Sequence, residues 1–208
     1  MFRKYKIPDA TIGRLSLYSR YLNEADKRGI TTVSSQNIAK ATGVTPAQVR
    51  KDLAYFGEFG TRGVGYNSRE LYNHIMKILG LDRKWPVAII GAGNLGKALL
   101  RYKGFNERGF DIKCIFDSDT AKIGKKLANI EIFPMEVIEE KVREYGIKMA
   151  IIAVPADSAQ DVTDKLARAG IKGILNFAPI NINVDGDVLI KRVDLAAQLE
   201  YLTFYLED

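Results

Sequence analysis

The chain has 208 residues, 47% of them hydrophobic and 27% charged, with a formal net charge of +6 and one cysteine. This is enough apolar residue for one medium domain or two small ones. No apolar run is long enough to span a bilayer, and the lone Cys114 excludes an intramolecular disulfide framework and fits a reducing cytoplasm. The charge is uneven. Thirteen of the 31 Lys and Arg, but only six of the 25 Asp and Glu, lie in residues 1–80. The basic character therefore belongs to the N-terminal segment, and it points to phosphate backbones or an anionic membrane face. The opening residues Met1 to Pro8 are basic but lack the apolar stretch and cleavage site of a signal peptide.

Pro8-Asp9 opens a first helix, with Ile12, Leu15, Tyr18, Leu22 and Ala25 at helical spacing, and Gly29 stops it. Ser34 caps a short helix from Gln36 to Thr42 that ends at Gly43. Thr45 then caps a third helix, with Pro46 at its first position and Gln48 placed to complete a capping box. Short helix, glycine turn and second capped helix read as a helix-turn-helix. The stretch Gly57-Glu-Phe-Gly-Thr-Arg-Gly-Val-Gly-Tyr66 reads as a hairpin, hence a wing. An amphipathic helix over 68–80 completes a winged-helix domain, residues 1–80, and residues 81–85 form a linker.

From Val87 the pattern changes to strands at 87–91, 112–116, 130–133, 149–154 and 173–177, with helices at 94–104, 135–145 and 157–169. Alternation of this kind predicts an α/β domain, a Rossmann-like parallel sheet over 86–192 with helices on both faces. Asp185-Gly186 suggests a hairpin between 181–184 and 187–192, and a final helix runs from Asp194 to Leu206 within a terminal segment 193–208.

The most informative motif is Gly91-Ala92-Gly93-Asn94-Leu95-Gly96, with Asp117 closing the next strand 21 residues later. Gly91 permits the tight turn, Gly93 the approach of a pyrophosphate and Gly96 close helix packing, while the helix N-terminus faces the phosphates. Asp117 suits the adenosine ribose hydroxyls and repels a 2′-phosphate, which favours NAD(H) over NADP(H). A glycine-rich turn binding nothing, or binding a CoA moiety, is the alternative. Val154-Pro155 and Phe177-Ala178-Pro179 follow strands and are candidates for the nicotinamide end, or plain loops. On the third helix Gln48, Arg50, Lys51 and Tyr55 form a face suited to a major groove, and Arg62 at the wing tip suits a minor groove or a phosphate. A solvated charged face is the alternative there.

Four segments, Gln48–Gly57, Gly60–Tyr66, Gly91–Gly96 and Gly170–Pro179, resemble the Rex family of bacterial redox-sensing transcriptional repressors, in that family's order and over essentially the whole chain. The resemblance implies a homodimer that binds palindromic double-stranded DNA operators of fermentation and anaerobic-respiration genes. In it, NADH releases the protein from DNA and NAD+ competes without releasing. It also implies that Tyr102 lies by the nicotinamide, that Asp194 comes from the other subunit, that Arg20 pairs with that aspartate in one state, and that the C-terminal helix is domain-swapped. Leu195, Leu199, Leu202 and Leu206 form one stripe on that helix, which suits an interface or packing on its own sheet.

Two other functions compete. An NAD-dependent oxidoreductase needs an acid or base and a substrate domain, but the nucleotide segment has no histidine and no Tyr-x-x-x-Lys pair. A regulator reading CoA or an acyl-CoA is the other. His74 reads as structural, and Cys114 as a buried inert thiol.

Overall fold

The computed structural model describes residues 7–61, 63–184 and 186–206. By its contacts the chain divides into two compact units, Met1–Arg83 and Lys84–Asp208.

The first unit is built from α1 (Asp9–Lys27), α2 (Ser35–Thr42), α3 (Pro46–Ala54) and α4 (Ser68–Ile78). Two short antiparallel strands, β1 (Thr32–Val33) and β2 (Tyr66–Asn67), tie the chain together. Local chemistry sets the helix ends. The Ser34 hydroxyl accepts the Asn37 backbone N–H at 3.1 Å, and the Asn37 side chain accepts the Ser34 N–H at 2.8 Å. Gly43 closes α2 at φ +71°. Thr45 caps α3 through the Gln48 N–H at 3.1 Å. The expected reciprocal bond from Gln48 is not made, because its side chain turns instead to Asp52. Leu15, Tyr18, Leu22, Ile38, Val49 and Leu53 fill the core. Ile12, placed by its spacing on the inner face of α1, is 39% exposed, and its neighbour Thr11 takes the buried position in that turn.

Among its described residues the glycine-rich segment forms no strand ladder of its own, only a bridge between Thr61 and Gly65. Gly60, Gly63 and Gly65 all have φ between +74° and +110°, a conformation that breaks extended pairing. A Cβ on Gly60 would lie 2.3 Å from the Gly65 carbonyl oxygen, so the two arms meet where no side chain fits. Arg62 lies outside the described residues.

The second unit is a sheet of β3 (Trp85–Ile90), β4 (Phe110–Asp117), β5 (Lys126–Leu127), β6 (Ile130–Pro134), β7 (Met149–Ile152), β8 (Gly173–Asn176) and β9 (Leu189–Arg192), in the order β5-β6-β4-β3-β7-β8-β9. All neighbours are parallel except β5 with β6. The order reverses between β3 and β7, and this opens a crevice at their carboxyl ends. Around the sheet stand α5 (Asn94–Arg101), α6 (Lys103–Glu107), α7 (Ile138–Glu144), α8 (Ala156–Arg168) and α9 (Leu195–Phe204). One apolar layer joins Phe116, Ile152, Ile138, Val142 and Leu166. The other joins Ile89, Ile115, Ile151, Leu99 and Phe105.

The sheet departs from the sequence expectation in four places. Trp85 opens β3 and so is strand, not linker. The helix expected over 94–104 breaks at Tyr102, whose ψ of 102° is extended. The helix expected from 135 starts with a 3-10 turn, Met135–Val137. The 181–184/187–192 hairpin is absent: β9 instead runs parallel beside β8, with the Leu189 N–H on the Lys172 carbonyl at 2.9 Å. The free edge of β8 captures that segment, and 181–184 stay irregular. Asp185, half of the expected turn, lies outside the described residues.

α9 buries none of its residues. Leu199 is 66% and Leu202 52% exposed. No helix among the described residues is long and apolar enough to cross a membrane.

Candidate nucleotide site and DNA interface

The turn from β3 into α5 is sterically determined. A Cβ on Gly91 would lie 2.5 Å from the Ala153 carbonyl oxygen, and Gly91 has φ +103°. A Cβ on Gly96 would lie 1.8 Å from the Gly91 carbonyl oxygen. Both glycines are therefore required by the protein's own backbone. Gly93 is different. A Cβ there meets nothing within 4 Å, and its φ of −77° is open to any residue. The space in front of Gly93 is a cradle that the protein does not fill. No side chain caps α5, so its first N–H groups and positive dipole end face that space.

Asp117 stands at the end of β4 beside this turn. Its Oδ2 accepts the Ala92 N–H at 2.7 Å and the Lys122 ammonium at 3.2 Å, and its Oδ1 accepts the Asp119 N–H at 2.8 Å. Burial opposes its ionisation, but the amides of Asp119 and Ala92 together with Lys122 outweigh it and hold the carboxyl below the usual range. Asp117 is thus an ionised acceptor tied to the glycine turn. Gly91, Gly93, Asp117, Lys122, Val154 and Pro155 are among the walls of one cavity of about 550 Å³. Open phosphate cradle, helix N-terminus and ionised acid fit the pyrophosphate and ribose of a dinucleotide.

The other predicted residues are distributed differently. Ala92 is buried, Asn94 and Leu95 are exposed on the first turn of α5, and none of them lines the cavity. Tyr102, at the α5/α6 break, is 56% exposed, with its ring edge-on to Phe105 at 5.1 Å. Phe177 is half-buried, Ala178 buried and Pro179 exposed, in a loop held by the buried Asn176. The Asn176 amide donates to the Ala178 and Ile180 carbonyls and accepts the Ala178 N–H. Asp194 caps α9 through the Ala197 N–H at 3.0 Å and pairs with Arg192. The Ala197 amide and Arg192 hold its carboxyl below the usual range against desolvation. Tyr102, Phe177, Ala178, Pro179 and Asp194 are not walls of the 550 Å³ cavity. Sequence reasoning missed Lys122. The signal was the spacing Asp117, Asp119, Lys122 just past a strand, which folds one cation back onto two acids.

In the first unit Ala47, Lys51 and Ala54 are exposed on α3 and Tyr55 is exposed at its C-cap, away from the buried Val49, Leu53 and Phe56. Arg50 is also exposed and donates to the Ser35 hydroxyl at 3.0 Å. A groove of about 780 Å³ runs between the start of α2, the end of α3 and the glycine-rich wing, with Ser34, Arg50, Ala54 and Thr61 among its walls. Arg20 is exposed on α1 with no ion pair among the described residues. The unexpected residue is Asp52. It is fully buried and bound to Arg14, Tyr18, Thr11 and Gln48. His74 is exposed, its Nδ1 2.9 Å from the Glu70 carbonyl. Burial pushes the Cys114 thiol up to about 12, so it stays protonated and unreactive.

Residues 6–54 match the family model described as "Putative DNA-binding protein N-terminus", and residues 82–180 the one described as "CoA binding domain". The chain is 60% identical over 200 residues to the redox-sensing transcriptional repressor Rex of Carboxydothermus hydrogenoformans, covering 96% of each chain. It is 55% identical to that of Desulforamulus reducens, covering 97% of this chain and 96% of the other. Among solved structures it resembles RSP, a Rex-family repressor, in complex with β-NAD+ and operator DNA, at 42% identity and TM-score 0.91 over 96% of this chain and 92% of that one. The RSP complex with β-NADH matches at 40% identity and TM-score 0.86, over 97% and 94%.

Proposed function

The chain belongs to the Rex family of redox-sensing transcriptional repressors, and from that premise we propose that it represses transcription by binding palindromic DNA operators and is released from them by NADH. NAD+ competes for the same site without releasing it. The observation that carries this reading is the likeness, through both units of the chain, to one repressor solved with operator DNA and β-NAD+ and again with β-NADH.

The residues divide the work. Gly91, Gly93 and Gly96, with the first amides of α5, hold the pyrophosphate, and Asp117 holds the adenosine ribose. Bound there, the cofactor supplies no chemistry, only a nicotinamide ring that is neutral when reduced and cationic when oxidised. Tyr102, Val154, Pro155 and the Phe177–Pro179 loop take the nicotinamide end. On α3, Gln48, Arg50, Lys51 and Tyr55 read the major groove, with Arg62 on the wing.

α9 exposes Leu195, Leu199 and Leu202 to water in a single chain, an apolar stripe that asks for cover. A homodimer formed by exchange of α9 covers it and brings the partner's Asp194 to the nicotinamide pocket. In the other state that carboxylate pairs with Arg20. NADH then binds the DNA-incompetent dimer more tightly and weakens DNA binding by the same coupling factor. On this reading the protein is a cytoplasmic regulator and no turnover of NAD(H) is expected.

A mobility-shift experiment on a palindromic duplex, with NADH and NAD+ added separately, tests it. NADH dissociates the complex and NAD+ does not; equal responses overturn the reading. The match of residues 82–180 to a CoA-binding model keeps one alternative ligand in view. Calorimetry with NADH and CoA separates the two, because heat with CoA and none with NADH reassigns the cavity.

A further inference from the structure

Asp52 is the most deeply buried charged side chain among the described residues of the first unit, and it lies on α3, the helix proposed above to read DNA. An isolated carboxylate there would be costly, and it is retained only because every neighbour donates to it. Its Oδ1 accepts from the Thr11 hydroxyl at 3.1 Å, from Arg14 Nη2 at 2.7 Å and from Gln48 Nε2 at 2.8 Å. Its Oδ2 accepts from Arg14 Nε at 2.6 Å and from the Tyr18 hydroxyl at 2.8 Å. Arg14 thus grips the carboxylate with both arms and bolts α3 to α1.

The ionised carboxylate accepts and cannot donate. A glutamine amide has a donor end and an acceptor end, so only one of its two orientations is compatible with Asp52. Nε2 must point inward. Turned over, Oε1 would face a carboxylate oxygen with no hydrogen between them. Gln48 stands one turn before Asp52 on α3, half-buried between the exposed Ala47 and Lys51. Its Oε1 accepts no hydrogen bond among the described residues. In the major groove the amino groups are adenine N6 and cytosine N4, whereas guanine and thymine offer O6, N7 and O4 acceptors.

We propose that Asp52 is a positioning residue for operator reading: it fixes the Gln48 amide with its nitrogen inward, so that Gln48 selects adenine or cytosine over guanine or thymine on the strand it faces. This rests on α3 being the DNA-reading helix. Arg14, Tyr18 and Thr11 extend the same restraint into α1, so the direction of one amide is set by residues that never touch DNA.

The full-length chain is used to select binders from a randomised duplex pool. The enriched bases are then compared for wild type, Gln48→Ala and Asp52→Ala. Wild type enriches A or C at one position per half-site, about fivefold over G or T, the worth of one hydrogen bond. Gln48→Ala loses that preference and keeps the others. Asp52→Ala loses the same preference, because no acceptor then holds Nε2 inward and the amide can turn over. A purely structural role for Asp52 would instead weaken all positions together. A second arm does not need Asp52→Ala to fold. Where adenine is the enriched base it is replaced by purine, which lacks the N6 amino group; where cytosine, by an analogue lacking N4. This lowers wild-type binding about fivefold and leaves Gln48→Ala unchanged. Enrichment of G or T at the Gln48-sensitive position overturns the proposal. So does an Asp52→Ala variant that binds DNA and keeps the A/C preference. If Gln48→Ala changes neither affinity nor pattern, Gln48 is not at the DNA interface, and the assignment of its face on α3 fails instead.

Discussion

Three glycines share one turn, yet the structure separates them, and substitution by alanine should expose the difference. At Gly93 the backbone angles of φ −77° and ψ −168° suit alanine, and the new methyl meets nothing within 4 Å. Alanine is a poorer helix cap than glycine by some tenths of a kcal/mol, and restricting the unfolded chain returns about 0.4–1 kcal/mol. Gly93→Ala should therefore melt within a few degrees of wild type. The methyl, however, fills the cradle assigned to the pyrophosphate. Holding the phosphates away from the α5 amides forfeits at least one charge-assisted hydrogen bond, about 1.5–3 kcal/mol, or roughly 10- to 150-fold in NADH affinity. Gly96→Ala is the control, since its Cβ would collide with the Gly91 carbonyl oxygen at 1.8 Å. Backbone must move, at a cost of about 1–3 kcal/mol in stability. Thermal melting and NADH fluorescence titration on both variants decide the matter. A Gly93→Ala protein that melts normally and binds NADH normally refutes the placement of the phosphates. One that is as unstable as Gly96→Ala refutes the claim that the cradle is empty for a ligand.

Four more outcomes follow from particular contacts. Asp117→Asn keeps an acceptor for the Ala92 amide but removes the charge, so NADH affinity should fall about tenfold and the preference for NADH over NADPH should narrow, read by competitive titration. Asp52 is held at about 2 because its four hydrogen-bonding partners outweigh its burial. Its carboxyl lies below the unfolded value of about 3.9, so it contributes roughly 2 kcal/mol above that pH, and this is lost as pH falls from about 4 to about 2. Hydrogen exchange in α1 and α3 should accelerate over that window in wild type and less steeply in Asp52→Asn; parallel profiles would contradict it. Lys51→Ala should weaken DNA binding on all sequences and lower the salt slope by about one while leaving NADH titration unchanged, whereas Tyr102→Phe should alter the NADH response and spare affinity for DNA without ligand.

The sequence disclosed what depends on local spacing and left out what depends on distant partners. Ser34, Thr45 and Gly43 act within four residues of themselves, so the boundaries of α2 and α3 could be read directly. The glycine turn was equally visible, since Gly91 and Gly96 constrain each other across five residues. Gln48 shows where that reading stops. Its spacing from Thr45 satisfies a capping box, but Asp52 competes for the same amide. Asp52 offers a fully buried charge, against a cap bond open to water. That carboxylate is ionised only because Arg14 and Tyr18 arrive from a helix more than thirty residues earlier. No window on the sequence around Gln48 contains them. The same reason hid the partner of the last strand, which was read as half of a hairpin. Leu189–Arg192 pairs with β8 because β8 has a free edge, and that edge exists only once the sheet has been ordered. α9 is the complementary case. Its stripe was plain in the sequence, but whether a stripe faces its own sheet or another molecule depends on whether any surface remains to receive it. Here both faces of the sheet are already occupied by α5 to α8, and α9 buries nothing. A helix left over after the core is complete keeps its leucines in water, and it is this unburied stripe, with Asp194 at its cap, on which the proposed dimer rests.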